Sequence, residues 1–121
     1  MNKKFCTIAK DGTISTVVDL EDLSILGLLV PALDSANLTF TASDTSDGTF
    51  VTVKTVYLDS TDSFAATLAD FTIPAATGGI AIDSSVLDAL KGYRYIKVVA
   101  SAGQTTAART FTWILKKNYR R

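Results

Sequence analysis

Hydrophobic and polar residues alternate with a period of two along most of this chain, the spacing of half-buried β-strands. Residues 3–9 and 13–20 read as the first two strands, joined at Lys10-Asp11-Gly12, where Asp-Gly signals a tight turn. In the second strand Ile14, Thr16, Val18 and Leu20 share one face. Residues 37–42 put Leu38 and Phe40 on one side and Thr39 and Thr41 on the other. A polar loop, Ser43 to Gly48, then leads into an apolar run from Thr49 to Leu58, so these two strands form a second hairpin. After the loop 59–63 come short strand candidates at 64–69, 71–73 and 80–82. Residues 93–101 alternate Tyr93, Tyr95, Lys97 and Val99 against Arg94, Ile96, Val98 and Ala100. Residues 107–116 set Phe111, Trp113 and Leu115 against Thr110, Thr112 and Ile114.

Two stretches break the period of two. Asp83 to Gly92 predicts one short helix near 83–91. Asp83 accepts the free amides of its first turn, Val86, Leu87 and Leu90 form its buried stripe, and Gly92 supplies a left-handed exit. Glu21 to Leu33 is ambiguous. Leu23, Leu26 and Val30 fall at helical spacing, but Gly27 weakens a helix and Pro31 ends one. The alternative is an extended, buried segment. Its dense apolar content calls for cover by this domain's core or by a neighbouring chain, which makes Ile25, Leu28 and Leu29 candidate contact residues.

Eight or nine strands at roughly ten-residue spacing predict a single all-β domain over 1–121, an antiparallel two-sheet sandwich with a basic tail at 116–121. Strand spacing alone leaves jelly-roll-like and immunoglobulin-like topologies equally open. Composition agrees. Of 12 acidic residues only Glu21 is a glutamate, and the aspartates with 17 threonines and 10 serines suit turns and strands better than helices.

Charge changes the picture more. The formal net charge is zero, with 12 bases and 12 acids. All the acids lie between Asp11 and Asp88, where Lys54 is the only base. The remaining bases lie at 1–10 and 91–121 and include Lys3, Lys4, Lys116, Lys117, Arg120 and Arg121. If the terminal strands are neighbours, the molecule has a basic region and an acidic one, an asymmetry that acts on association and orientation. The basic ends are therefore candidate partner-binding residues. The acidic middle argues against wrapping nucleic acid.

Candidate chemistry is sparse. The chain has no histidine and one cysteine, Cys6, which excludes a Ser-His-Asp triad, a Cys-His pair, a histidine-ligated zinc site and an intrachain disulfide. Cys6 falls within a strand and reads as packing. Asp44, Asp47, Asp59 and Asp62 occupy two loops; they could offer oxygens to calcium, but they lack an EF-hand pattern and read as solvated turn residues. Tyr57, Tyr93, Tyr95, Trp113 and Tyr119 could stack sugars in a carbohydrate-binding adhesin, or form core. No enzyme activity, cofactor or metal is expected. The nine-residue apolar run 25–33 is too short to cross a membrane, and the N-terminal apolar stretch is too short for a signal peptide, so folding in a cytoplasm is expected.

One resemblance bears on function. Val17-Val18-Asp19-Leu20, Leu29 to Leu33, Ser35 to Ser43 and Ser46 to Phe50 follow one another in a distinctive cadence. So do Tyr93 to Ser101, Gln104 and the closing strand Arg109 to Leu115. Over roughly 13–116 this pattern resembles small β-sandwich virion accessory proteins of tailed bacteriophages, of the head decoration, head fibre or tail accessory type. The likeness lies in strands and turns, so no functional residue carries over. It implies a structural capsid decoration or auxiliary subunit that binds the particle by protein–protein contacts with a major capsid protein or with tail or neck proteins. It also implies a homo-oligomer, in a virion assembled in the host cytoplasm.

Overall fold

A computed structural model describes residues 2–58, 66–70, 79–81 and 93–117. The described residues are all-β, with ten strands and no helix. The short helix expected at 83–91 lies outside them. Strand β1 (Asn2–Ile8) pairs antiparallel with β10 (Arg109–Lys117), which pairs with β3 (Leu23–Val30), which pairs with β8 (Gly79–Ala81). This is sheet A. Sheet B runs β2 (Val18–Asp19), β9 (Tyr95–Ala100), β4 (Leu38–Ser43), β5 (Val51–Thr52). A separate hairpin joins β6 (Lys54–Leu58) to β7 (Ala66–Asp70).

The alternation expected in the closing strands sets the core. Ile96, Val98 and Ala100 of β9, and Phe111, Trp113 and Leu115 of β10, are buried, as are Leu38, Phe40 and Ala42 of β4. Sheets A and B meet where Phe40 packs edge-to-face on Trp113, ring centroids 5.8 Å apart at 67°. Such aromatic pairs add to the burial of apolar area, which is the main drive to fold. The indole N–H of Trp113 donates to Cys6 Sγ at 3.4 Å, so its one polar atom is not orphaned inside the core.

The sheets also share a seam. The tight turn forms as predicted, with Asp11 at φ 70° and the Gly12 amide donating to the Ala9 carbonyl at 2.8 Å. The second arm does not stay in a hairpin. It meets β9 first, Ile14 opposite Val99, bridges β1 at Ser15 opposite Ile8, and returns to β9 as β2. The buried Ser15 hydroxyl accepts from the Val98 amide at 2.8 Å. This change of sheet shifts the parity. Ser15, Val18 and Leu20 are buried while Ile14 is exposed, contrary to the single face expected for Ile14, Val18 and Leu20.

Residues 23–30 resolve the ambiguous stretch as a strand, not a helix. Leu115 faces Ile25 and Ile114 faces Gly27, so Leu26 is the extra residue of a β-bulge. Ile25 and Leu28 are three positions apart and would fall on opposite faces of a regular strand. The bulge lets both face the core with Val30. The apolar run 49–58 is also divided: Val53 is buried and its amide donates to the Phe40 carbonyl, so β5 ends there and β6 begins beside β7.

Phe40→Ala is expected to lower unfolding stability by about 3–5 kcal/mol, read as a shifted urea midpoint of Trp113 fluorescence. Burial pushes the Cys6 thiol pKa up. Labelling of Cys6 by an aromatic disulfide reagent should therefore be slow in the native protein and should follow the unfolding rate across the denaturant series. Rapid labelling in the absence of denaturant would show that Cys6 is accessible.

Candidate functional site

The four strands of sheet A contain Lys3, Lys4, Arg109, Lys116 and Lys117 and no aspartate or glutamate. One face of this sheet is core; the register defines the other. Lys3 lies opposite Ile114 and Ile114 opposite Gly27, forming one row across β1, β10 and β3. Phe5, Thr112 and Leu29 form the next row, and Thr7 and Thr110, their hydroxyls 3.0 Å apart, the next. Phe5 is 61% exposed and the bulge residue Leu26 is 36% exposed. Leu29 and Ile114 are half-buried between them, and Lys3 and Lys116 stand exposed at the same end. The site is an open apolar face rimmed by lysine, a composition suited to holding a partner.

Neighbouring bases, by contrast, are committed to acids around this face. Lys4 reaches across the seam to Glu21 at 2.7 Å and to the Asp19 carbonyl. Arg94 grips Asp19 with two hydrogen bonds, at 2.8 and 3.0 Å. Arg109 reaches Asp34 at 3.1 Å. The Asp34 carboxylate also accepts from the Thr106 amide and hydroxyl, each at 3.0 Å, while its own amide donates to the side chain of the buried Gln104 at 2.8 Å. Hydrogen bonding from the Thr106 amide, helped by Arg109, holds the Asp34 pKa below the ordinary carboxylate value. The Arg94 hydrogen bonds do the same for Asp19. Among the described residues Lys3, Lys116 and Lys117 have no such partner.

The candidate contact residues therefore separate. Lys3, Lys116, Lys117 and Leu29 lie on or beside the outer face of sheet A. Ile25 and Leu28 do not: they are 7% and 3% exposed, facing Leu115 and Trp113 in the core, so no partner reaches them in the folded chain. Lys4 is half-buried and committed to Glu21. Arg120 and Arg121 lie outside the described residues. Phe5 and Ile114 were not singled out by the sequence as contact residues, and Leu26 only as part of the apolar stretch 23–33. The signal was present for two of them: with Cys6 and Ile8 inward Phe5 must point outward, and with Trp113 inward Ile114 must too.

The other candidate chemistries find less. Trp113, 1% exposed, is core and offers no sugar platform. Tyr95 lies beside the Arg94 guanidinium, 5.2 Å from its ring centroid, and Lys97 lies 4.3 Å over Phe50, so cations occupy two aromatic rings on the outside of sheet B. Tyr57 and Tyr119 have no described side chains. Asp44 and Asp47 are exposed on the β4–β5 loop, and no group of three possible metal ligands occurs among the described residues. Asp59 and Asp62 lie outside them. No described helix is long and apolar enough to cross a membrane. No family model matches this chain, and no curated protein or solved structure is significantly similar to it.

The lowered pKa values fix the sign of one pH effect. A carboxylate whose folded pKa is below its unfolded value of about 3.9 stabilises the fold at neutral pH, and that contribution fades as pH falls through the folded pKa. The double variant Asp19→Asn, Asp34→Asn should therefore show a shallower loss of stability below about pH 4 than the parent, measured as urea midpoint against pH. Equal slopes would show that these two acids do not set the acid limb.

Proposed function

We propose that the chain is a structural subunit acting by protein–protein contact, docking on a larger assembly through the outer face of β1, β10 and β3. The observation that carries this is the pairing of a largely exposed Phe5 with unpaired lysines on a sheet free of acids. Apolar contact supplies affinity, and the lysines steer the face toward acidic neighbours. The sequence resemblance makes the assembly the virion of a tailed bacteriophage. The chain would then be a capsid decoration or auxiliary subunit on the major capsid protein or on tail or neck proteins.

The two sheets are proposed to form a sandwich of jelly-roll-like rather than immunoglobulin-like connection. With the β6–β7 hairpin set aside, the remaining eight strands run first, eighth, third, sixth in one sheet and second, seventh, fourth, fifth in the other, the order of a double-sheet jelly roll. The last strand lies between β1 and β3, which the immunoglobulin order does not place there.

The test is cosedimentation of the purified chain with virus particles lacking it. Binding should weaken at least tenfold for Phe5→Asp and for Lys3→Glu, Lys116→Glu, and should fall as salt rises from about 0.1 to about 0.5 M. Binding that ignores both variants would remove this face from the mechanism. Failure of the parent chain to bind would remove the virion role.

A further inference from the structure

Among the described residues Lys4, Arg94 and Arg109 pair with Glu21, Asp19 and Asp34, and two further groups of exposed charge bear on docking. Lys3, Lys116 and Lys117 remain at one end of sheet A. Asp44 and Asp47 remain on the β4–β5 loop, exposed and with no partner among the described residues. That loop leads into β5, an edge strand of only two residues whose Val51 is 50% exposed. One surface is thus an apolar face with lysines. The other, on the edge of the opposite sheet, is a projecting loop with two carboxylates and an apolar side chain. The strands of the lysine-rimmed face contain no acid and the loop itself contains no base, with Lys97 of β9 lying over Phe50 beside it.

We infer that the outer face of β1, β10 and β3 receives residues 44–51 of a second copy of this chain, head to tail. This rests on the docking reading above and names its partner. Val51 lies against Phe5 and Ile114, and Asp44 and Asp47 meet Lys3 and Lys116. Face-to-face pairing of two identical sheets would instead join two faces whose strands carry lysines and no acids, so neither supplies the opposite charge. Nucleic acid is a poorer fit, because the centre of the face is apolar and offers phosphates nothing. A head-to-tail contact leaves each copy with one surface still open, so copies add until a ring closes or continue as a row.

The test is sedimentation velocity of the full chain at about 0.05 and about 0.5 M salt. Several copies should associate at low salt and dissociate to single chains at high salt. Lys3→Glu, Lys116→Glu and, separately, Asp44→Lys, Asp47→Lys should each abolish association while keeping a β-type circular dichroism spectrum. Mixed in equal amounts, the two variants should associate again, because each then offers the charge the other needs. Phe5→Ser and Val51→Ser, which change no charge, should each weaken association several-fold and serve if a charge variant does not fold. A parent chain that stays single at low salt, an oligomer indifferent to both swaps, or a mixture that stays single would overturn the inference. So would a DNA duplex retained by the parent and lost with Lys3→Glu, Lys116→Glu. A single chain that still binds particles through Phe5 would overturn the self-association alone; loss of particle binding as well would take the docking reading with it.

Discussion

The contact of Phe40 with Trp113 is the constraint from which the rest of this structure follows. Each ring comes from a different sheet, and each is almost fully buried. Their packing fixes which face of β4 and of β10 is inside. Strict alternation then decides every other residue on those strands. Phe111 and Leu115 go inward with Trp113, and Thr110, Thr112 and Ile114 are turned outward. The neighbouring strands inherit the same division through the register, which places Cys6 inside and Phe5 outside. The exposed apolar face is therefore the reverse side of the core, fixed by the same alternation.

The second organising constraint is electrostatic and acts at the surface. Three salt bridges and the hydrogen bonds around Asp34 tie segments far apart in sequence, such as Asp19 to Arg94 and Asp34 to Arg109. Exposed ion pairs of this kind stabilise a fold only weakly. Their larger effect is on what remains. By neutralising Lys4, Arg94 and Arg109 they leave Lys3, Lys116 and Lys117 as the exposed charges at one end of sheet A, while Asp44 and Asp47 stand exposed on the β4–β5 loop.

Where alternation was unbroken, the sequence was read correctly. The inward sets of β4, β9 and β10 and the loop between β4 and β5 were all legible from period and turn residues. Three features were not, each for a physical reason. The bulge at Leu26 inserts one residue and inverts the parity of everything beyond it, so no single period of two runs through this strand. The crossing of residues 13–19 between sheets depends on long-range partners, Thr7 and Val98, that no local pattern reveals. The division of 49–58 depends on Val53 entering the core beside Phe40. For the site, charge sorting pointed to the terminal lysines, but hydrophobicity alone also nominated Ile25 and Leu28. Burial is a property of the sheet, and composition cannot tell which side of it a leucine will take.

The pairing of β1 with β10 sets Asn2 opposite Leu115 and Ile8 opposite Arg109. Residues 2–8 therefore leave the ribosome well before their ladder partner. At ordinary elongation speeds this is a wait of roughly 5–20 s. Throughout that interval the edge that β10 will pair lies open, and closure requires bringing together segments far apart in sequence. Such non-local topology slows folding and lengthens the time in which nascent strands can pair wrongly. The lysines at positions 3 and 4 are well placed to discourage that mispairing, since charge on an unpaired strand disfavours its addition to a foreign sheet.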